Sequence, residues 1–302
     1  MPQDNASRHV LSSYLLDTTL GGSEEGRCIL DGATWNGANL TSAVLESAII
    51  RGTTLLDAEL SDARLAKANI DTTDFQRALL GGSDFTEGRI SKSDFRFAWL
   101  AEAIFSDAEL RHTEFRKSNL RGARFQGALL ESCKFAGATL SAGCFNSARI
   151  KLCDFSESDF TAAQFVRAQI EGSHFRAANG SDANFSNCRV KACDFTRADL
   201  ARARFQKADL TGSQFERTRM READLRQAQL GGVILCHADL AGARFAGAVL
   251  FAADLRGADL SGARELTSQQ LTQARTDDIT ILPNGARGPY RRNSGAERVL
   301  AR

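Results

Sequence analysis

The chain has little of what most enzymes and exported proteins carry. Its 302 residues include three Pro, two Tyr and two Trp, and its net charge is +1, from 38 basic and 37 acidic residues. Because the charges balance, no bulk field favours nucleic acid or an acidic membrane as a partner. No apolar run is long enough to span a bilayer. The N-terminus lacks the basic start, apolar core and cleavage site of a secretory signal, so we expect a cytoplasmic protein.

What the sequence does have is a repeat of five residues. From Leu30 to Leu260, every fifth residue (the centre of a unit) is Leu, Ile, Val, Met, Phe or Trp at 46 of 47 positions, Gly180 being the exception. Two positions before each centre the residue is small at 46 of 47 places, Val233 being the exception. A period of five fits neither a helix nor a long strand. Each unit is therefore predicted to be a very short strand plus a turn, with these two residues facing the interior.

Cysteine is placed as a small core residue rather than as a ligand. Five of the seven Cys lie two residues before a centre: Cys28, Cys133, Cys153, Cys188 and Cys193. This placement predicts buried thiols, and no His or second pair of ligands accompanies them, so we expect neither a metal site nor a disulfide. The sequence also lacks a GxSxG motif and a phosphate loop, and a repeat without insertions offers no cleft for a reaction. We expect no catalytic residues, no cofactor and no enzyme activity.

The pattern of centres indicates four units per coil. Between residues 75 and 215 Phe occupies nearly every second centre, which gives a period of ten. The β-branched centres favour a period of twenty, because they share one phase of that count: Ile50, Ile70, Ile90, Ile150, Ile170 and Val190. Four faces are therefore expected, and two of them should carry stacked Phe columns.

The units themselves resemble those of the pentapeptide-repeat protein family. The sequence reads GANLT at 37–41, RADLA at 197–201, KADLT at 207–211 and RGADLSGA at 256–263. The resemblance implies an all-β fold, a right-handed quadrilateral parallel β-helix with four pentapeptides per coil, which the period of twenty supports independently. Residues 26–265 would then form about twelve coils.

The segments outside the repeat are expected to close its ends, where the first and last coils expose apolar cross-sections and unpaired strand edges. Residues 1–25 are predicted to form an N-terminal cap. Residues 266–283 are predicted to hold a C-terminal cap helix, Thr267–Arg275, which has capping-box spacing, followed by an extended piece. Residues 284–302 contain five Arg against one Glu and are predicted to be a mobile basic tail.

One cluster of outward apolar residues interrupts a mostly polar surface. Leu79 and Trp99 should lie one coil apart, about 4.8 Å along the axis, with Phe97 beside them around a corner. Trp is the residue that most often anchors interfaces, so these three residues are the candidate docking site for a protein partner. Arg96 and Glu102 are placed on its rim. The alternatives are that the N-terminal segment covers the rings or that they are isolated exposed groups.

Two functions are consistent with the sequence. The first is a non-catalytic scaffold that presents a rigid surface to a protein partner of unknown identity. The second comes from the resemblance, since some family members are taken to imitate duplex DNA and bind type II topoisomerases. The alternative is therefore a DNA gyrase-binding protein that protects the enzyme from its inhibitors.

The charge pattern bears on that alternative. DNA carries one charge about every 1.7 Å of its axis, so imitation needs a dense column of acids. The most acidic face has a net charge of only −5, because arginines are mixed with its acids. We expect no specific nucleic-acid binding and no membrane binding. In the family C-terminal caps can pair, so a homodimer through this cap is one expected arrangement.

Overall fold

The computed structural model of the chain describes residues 28–292 and 294–299. It is an all-parallel β-solenoid with almost no helix, which confirms the predicted fold class. The chain divides into two compact units, which we describe separately: unit 1 ends at Ala148 and unit 2 begins at Arg149. The predicted N-terminal cap, residues 1–25, lies outside the described residues.

Between Ile29 and Lys191, every twenty residues contain one three-residue strand. Unit 1 contains β1 (Ile29–Asp31), β2 (Ile49–Arg51), β3 (Asn69–Asp71), β4 (Arg89–Ser91), β5 (Glu109–Arg111) and β6 (Leu129–Glu131). Unit 2 contains β7 (Arg149–Lys151), β8 (Gln169–Glu171) and β9 (Arg189–Lys191). Successive strands within a unit pair in parallel, so that Ile50 lies opposite Ile70. Ile or Val stands at six of the nine strand centres, and their branched side chains favour an extended backbone.

The other faces carry ladders of single bridges at the residue before each centre. In unit 1 the amide of Leu80 donates to the carbonyl of Trp99 at 2.7 Å, and the amide of Trp99 donates to the carbonyl of Ala78 at 2.9 Å. The pattern recurs every twenty residues in both units, as the centres predict. The strands mark about eight turns, fewer than the twelve coils predicted, because beyond β9 single bridges hold the register instead of strands.

Stacked phenylalanines fill much of the interior, as the sequence predicts. In unit 1 the rings of Phe85 and Phe105 are stacked with centroids 4.7 Å apart, and Phe95 meets Phe85 edge-on at 6.1 Å. In unit 2 Phe165 and Phe185 are stacked at 4.6 Å. These side chains are fully buried. Such ring pairs contribute about 0.5–1.5 kcal/mol each beyond the burial of their area.

Gly180, the one centre without a side chain, is compensated within unit 2. A Cβ built on Gly180 would clash with the ring of Phe160, closest to its Cε2 atom. The Phe160 ring is fully buried and meets Phe175 edge-on at a centroid distance of 5.6 Å. The large centre of one coil therefore occupies the volume that the next coil leaves empty.

The second residue after every centre has a positive φ. Gly occupies this turn position fourteen times, and non-glycine residues occupy the rest, among them Phe97 at 61° and Leu152 at 53°. A non-glycine residue in this region costs about 1–2 kcal/mol relative to an ordinary helical conformation. The surrounding ladder of hydrogen bonds imposes the turn whichever residue stands there.

A short helix follows the last repeat of unit 2. Helix α1 (Ser268–Gln273) begins after the N-cap Thr267, whose side chain and that of Gln270 form a capping box. The Gln270 amide Nε2 also donates to the carbonyls of Phe245 at 2.9 Å and Ala248 at 2.8 Å. The helix therefore satisfies carbonyl groups that the end of the ladder would leave unpaired.

The segment after α1 folds onto unit 2, including most of the segment predicted as a mobile basic tail, residues 284–302. Ile281 extends the ladder by pairing in parallel with Asp259. The Tyr290 amide donates to Oγ1 of Thr276 at 2.8 Å, and the Tyr290 hydroxyl donates to a carboxylate oxygen of Glu297 at 2.9 Å. These contacts hold the described tail residues against the cap, which composition alone does not reveal.

Candidate functional site

The apolar cluster predicted from the sequence lies on the surface of unit 1. Leu79 and Trp99 are bridge partners in consecutive coils, and 45 % and 52 % of their surfaces are exposed. Phe97 lies two residues before Trp99 and is 53 % exposed. We call these three residues the aromatic surface. Each stands in an outward position, so its exposure follows from the five-residue pattern and not from a defect in packing.

Phe97 is held in an unusual conformation and faces a cation. Its φ of 61° places it in the left-handed turn position, and Nζ of Lys117 lies 5.8 Å from its ring centroid. A cation over a ring at this distance contributes about 0.5–1 kcal/mol at an exposed site. Lys117 was not among the predicted site residues. It could have been found, because it stands twenty residues after Phe97, one coil further on.

Gly81 shapes the position of the Trp99 indole. A Cβ built on Gly81 would lie 3.6 Å from Cδ1 and 3.7 Å from Nε1 of Trp99. The indole therefore lies close to the backbone of Gly81, where no side chain stands between them. A side chain larger than Ala at position 81 would displace the indole while Trp99 itself is kept.

The two predicted rim residues have different surroundings. Arg96 is bound to Asp94, with Nη2 of the guanidinium 2.6 Å from a carboxylate oxygen, and this bond raises the pKa of Arg96. Because one carboxylate already holds it, Arg96 contributes less free charge to the rim than the sequence indicates. Glu102 is exposed in the turn after Leu100, with φ 61°, and the described residues include no ion pair for it.

Acidic residues before a centre serve the fold as well as the surface. In unit 2, Asp159 accepts the backbone amide of Thr161 at 3.0 Å, and this contact between a residue and the amide two positions on recurs along the ladder. Such side chains stabilise the turn that follows. The acids are therefore partly explained by the architecture, before any partner is considered.

The most acidic face is further neutralised by its own arginines. In unit 2, Asp182 forms a bidentate pair with Arg202, with oxygen–nitrogen distances of 2.8 and 2.7 Å, which lowers the pKa of Asp182. Asp239 pairs with Arg221, and Asp199 with Arg219 at 3.5 Å. These pairs reduce the free negative charge that imitation of DNA needs.

The thiols are placed as the sequence predicts. Cys188 and Cys193 are buried, and burial raises their thiol pKa values to about 12 and about 11, so both remain protonated near neutral pH. Among the described residues no group of His, Cys, Asp and Glu could hold a metal ion. A search of the same residues finds no helix with the length and apolar content needed to cross a membrane.

Two family models match most of the chain. A model described as pentapeptide repeats (8 copies) matches residues 26–57, 58–96, 89–127, 198–235 and 228–264, and one described as pentapeptide repeat region matches residues 128–205. A comparison with curated protein sequences finds no match.

Solved structures of similar fold include three informative examples. HetL from Nostoc sp. strain PCC 7120, a pentapeptide repeat protein involved in heterocyst differentiation regulation, is 22 % identical over 92 % of this chain and 97 % of its own, with a TM-score of 0.28. QnrB1, a plasmid-mediated fluoroquinolone resistance protein, is 20 % identical over 70 % and 90 %, with a TM-score of 0.27. Rfr23 from Cyanothece 51142 is 24 % identical over 49 % and 89 %, with a TM-score of 0.21. At this level of identity the similarity concerns the fold and says nothing about the partner or activity of this chain.

Proposed function

This chain belongs to the pentapeptide repeat family, and we propose that it acts as a non-catalytic scaffold whose aromatic surface docks a protein partner. The single observation that carries the proposal is the exposure of Leu79, Phe97 and Trp99 together on one part of unit 1. Exposed aromatic residues with polar neighbours are the usual form of an interface hot spot.

The rigidity of the surrounding repeat supports the same proposal. Both neighbours of the Trp99 side chain along the ladder, Leu79 and Asn119, are bridge partners of its backbone. A backbone held by such a ladder loses little conformational freedom on binding, so less of the interaction energy is spent in ordering it. The proposal includes a cytoplasmic location and a partner whose identity is open.

The topoisomerase alternative gains no support from the described residues. Imitation of DNA would use the carboxylates of the acidic face, and in unit 2 Asp182, Asp199 and Asp239 are already paired with arginines. A gyrase supercoiling assay with the purified protein tests this directly, and we expect neither inhibition of supercoiling nor protection from a gyrase inhibitor.

The docking proposal is tested with the double variant Phe97→Ser/Trp99→Ser. Proteins captured by the wild-type chain and lost by the variant are identified, and the strongest is purified and titrated. Because Trp99 and Trp35 are the two Trp residues, a Trp35→Phe background makes the emission of Trp99 report on binding. We expect a shift of that emission on binding in the protein that keeps Trp99, and titration calorimetry should show a loss of affinity of about tenfold or more in the double variant, which lacks the reporter.

The matched control removes apolar surface elsewhere. Leu152 and Phe251 are 56 % and 67 % exposed in unit 2, and Leu152→Ser/Phe251→Ser should keep the affinity. The melting temperature of Phe97→Ser/Trp99→Ser should stay close to that of the wild type. A clearly lower melting temperature of this variant would show that the two rings stabilise the fold instead of binding a partner. An equal loss of affinity in the control would show that the binding is nonspecific.

A further inference from the structure

A second surface feature lies in unit 2, on the strand face. An open groove of about 470 Å³ runs over β7, β8 and β9. Its floor is formed by the buried centres Ile150 and Ile170. Its walls are the exposed residues on either side of the centres: Arg149, Gln169 and Arg189 on one side, and Lys151, Glu171 and Lys191 on the other.

Three of the four cations of this groove have no carboxylate within 4.0 Å among the described residues, unlike several arginines elsewhere in unit 2. Elsewhere in the unit, Arg226 lies 2.6 Å from Asp224 and Arg256 lies 2.6 Å from Asp254. Arg149, Lys151 and Lys191 form no ion pair within 4.0 Å among the described residues, and Arg189 reaches Asp209 only at 3.9 Å. The groove therefore concentrates four positive groups around one carboxylate, and three of them form no ion pair among the described residues, so their charge is available to a ligand.

The spacing of these groups is fixed by the ladder. Arg149, Gln169 and Arg189 are paired in register across the three strands, and so are Lys151, Glu171 and Lys191. Strands lie about 4.8 Å apart, so the outer cations of each wall are separated by about 9.6 Å along the groove. The charge sequence along one wall is positive, neutral, positive, and along the other it is positive, negative, positive.

We propose that this groove binds an extended acidic peptide segment of a protein partner, with two acidic residues, one non-acidic residue and two more acidic residues. In an extended chain the midpoints of these two acidic pairs are three residues, or about 10 Å, apart, and the two side chains of each pair point to opposite walls. The first acidic pair therefore matches the cations of β7, and the second pair matches those of β9. The central residue lies beside Glu171, which disfavours a third acid there.

The same pattern disfavours a nucleic acid. A phosphate backbone carries a negative charge at every step, so one phosphate would have to lie beside the carboxylate of Glu171. The groove is also lined by no aromatic side chain on which a base could stack, although stacking is the usual second contribution to the binding of single strands. An acidic peptide with a neutral centre satisfies all four cations without either conflict.

The test uses fluorescently labelled pentapeptides and the full chain at low salt. Glu-Glu-Gln-Glu-Glu is expected to bind more tightly than Glu-Glu-Glu-Glu-Glu, although it carries one negative charge fewer, and Gln-Gln-Gln-Gln-Gln is expected not to bind. In Glu171→Gln the preference between the two acidic peptides should vanish or reverse. Tighter binding of the all-Glu peptide to the wild type, or of a thymidine pentanucleotide, would overturn the proposal.

Charge reversal locates the site. Lys151→Glu/Lys191→Glu should weaken the binding of Glu-Glu-Gln-Glu-Glu by about tenfold or more. The control Arg197→Glu changes an exposed cation outside the groove that forms no ion pair among the described residues, and it should change the affinity by less than about twofold. An equal loss in the control would contradict the site.

The inference goes beyond the aromatic surface and shares with it only the premise that the ligands are proteins. Phe97→Ser/Trp99→Ser should bind the peptide with wild-type affinity, so the two proposals fail independently.

Discussion

The strand faces of the two units have the same backbone but different surfaces. In β1–β6 the outward positions hold four carboxylates and three arginines, and Arg111 pairs with Glu131 at 3.3 Å. In β7–β9 the same positions hold four cations and one carboxylate. The centres beneath them are buried in both units. Since the same kind of ladder carries nearly balanced charge in one unit and an excess of positive charge in the other, the outward residues of this fold can vary without changing its coils.

The interiors of the units differ at one place as well. In unit 1 the centres of the face that carries Trp99 are all Leu: Leu40, Leu60, Leu80, Leu100, Leu120 and Leu140. In unit 2 the corresponding column begins with Phe160 and Gly180, which share one volume. Interior positions are therefore constrained together along a column, whereas outward positions are constrained mainly by charge.

The largest effect should come from breaking that shared volume. Phe160→Leu would leave a cavity beside Gly180 and should lower the free energy of unfolding by about 1–3 kcal/mol. Gly180→Ala should destabilise unit 2 by a similar amount, because the new Cβ would clash with the Phe160 ring. In the double variant Phe160→Leu/Gly180→Ala the losses should be less than additive, since the smaller centre makes room for the new methyl group.

Denaturant titrations of the four proteins measure this coupling. Leu100→Met in unit 1 is the control, because a swap of similar volume at a buried centre costs little. Additive losses in the double variant would contradict the shared volume. An unfolding midpoint that Phe160→Leu leaves unchanged would do so as well.

The fold could be predicted almost completely from the sequence because it depends on a pattern that repeats. One centre and one small residue in every five determine which side chains face inward. The positions of Ile and Val indicate four pentapeptides per coil. The Phe160–Gly180 pairing could also be predicted, because Gly180 is the one centre without a side chain and Phe160, one coil before it, is the only Phe in their shared column. These inferences need only the period, and the period is visible in the sequence.

Contacts between outward side chains could be predicted only in part. The exposure of Phe97 and Trp99 follows from their outward positions in the five-residue repeat. The ion pair between Arg96 and Asp94 depends on the rotamers of both side chains. The cluster of cations over β7–β9 is visible in the sequence at intervals of twenty residues. The net charge of a whole face does not reveal it. Net charge over a face conceals a local cluster, and binding depends on the cluster.

A smaller effect is expected from acid. Hydrogen bonds from Arg256 lower the pKa of Asp254 from 3.8 to about 2 in the folded protein, despite the opposing effect of burial. Because the folded pKa is the lower one, the contribution of Asp254 to stability is present above pH 4 and is lost as the pH falls toward 2. Its size should be about 1–2 kcal/mol, since the Arg256 side chain is half exposed and its interaction is screened.

Asp254→Asn separates this contribution from general acid unfolding. The variant should be less stable than the wild type at pH 7, and the difference should shrink as the pH approaches 2. Asp278→Asn, at an exposed position without an ion pair among the described residues, should show no such convergence. A constant difference between Asp254→Asn and the wild type across this range would contradict the assignment.

The smallest effect concerns the turn position that both units share. Ala192 and Gly212 occupy this position in consecutive coils of unit 2, with φ values of 50° and 72°. Ala192→Gly should raise the free energy of unfolding by up to about 1 kcal/mol, because Gly adopts a positive φ without steric conflict, although the unfolded chain also becomes more flexible. Gly212→Ala should lower it by about 1 kcal/mol through backbone conformation alone, since nothing lies within 4 Å of the added Cβ. Denaturant titration measures both changes in the free energy of unfolding, and opposite signs would show that the ladder imposes the turn on whichever residue stands there. Destabilisation by both substitutions would mean that Ala192 makes a contact that outweighs its backbone strain.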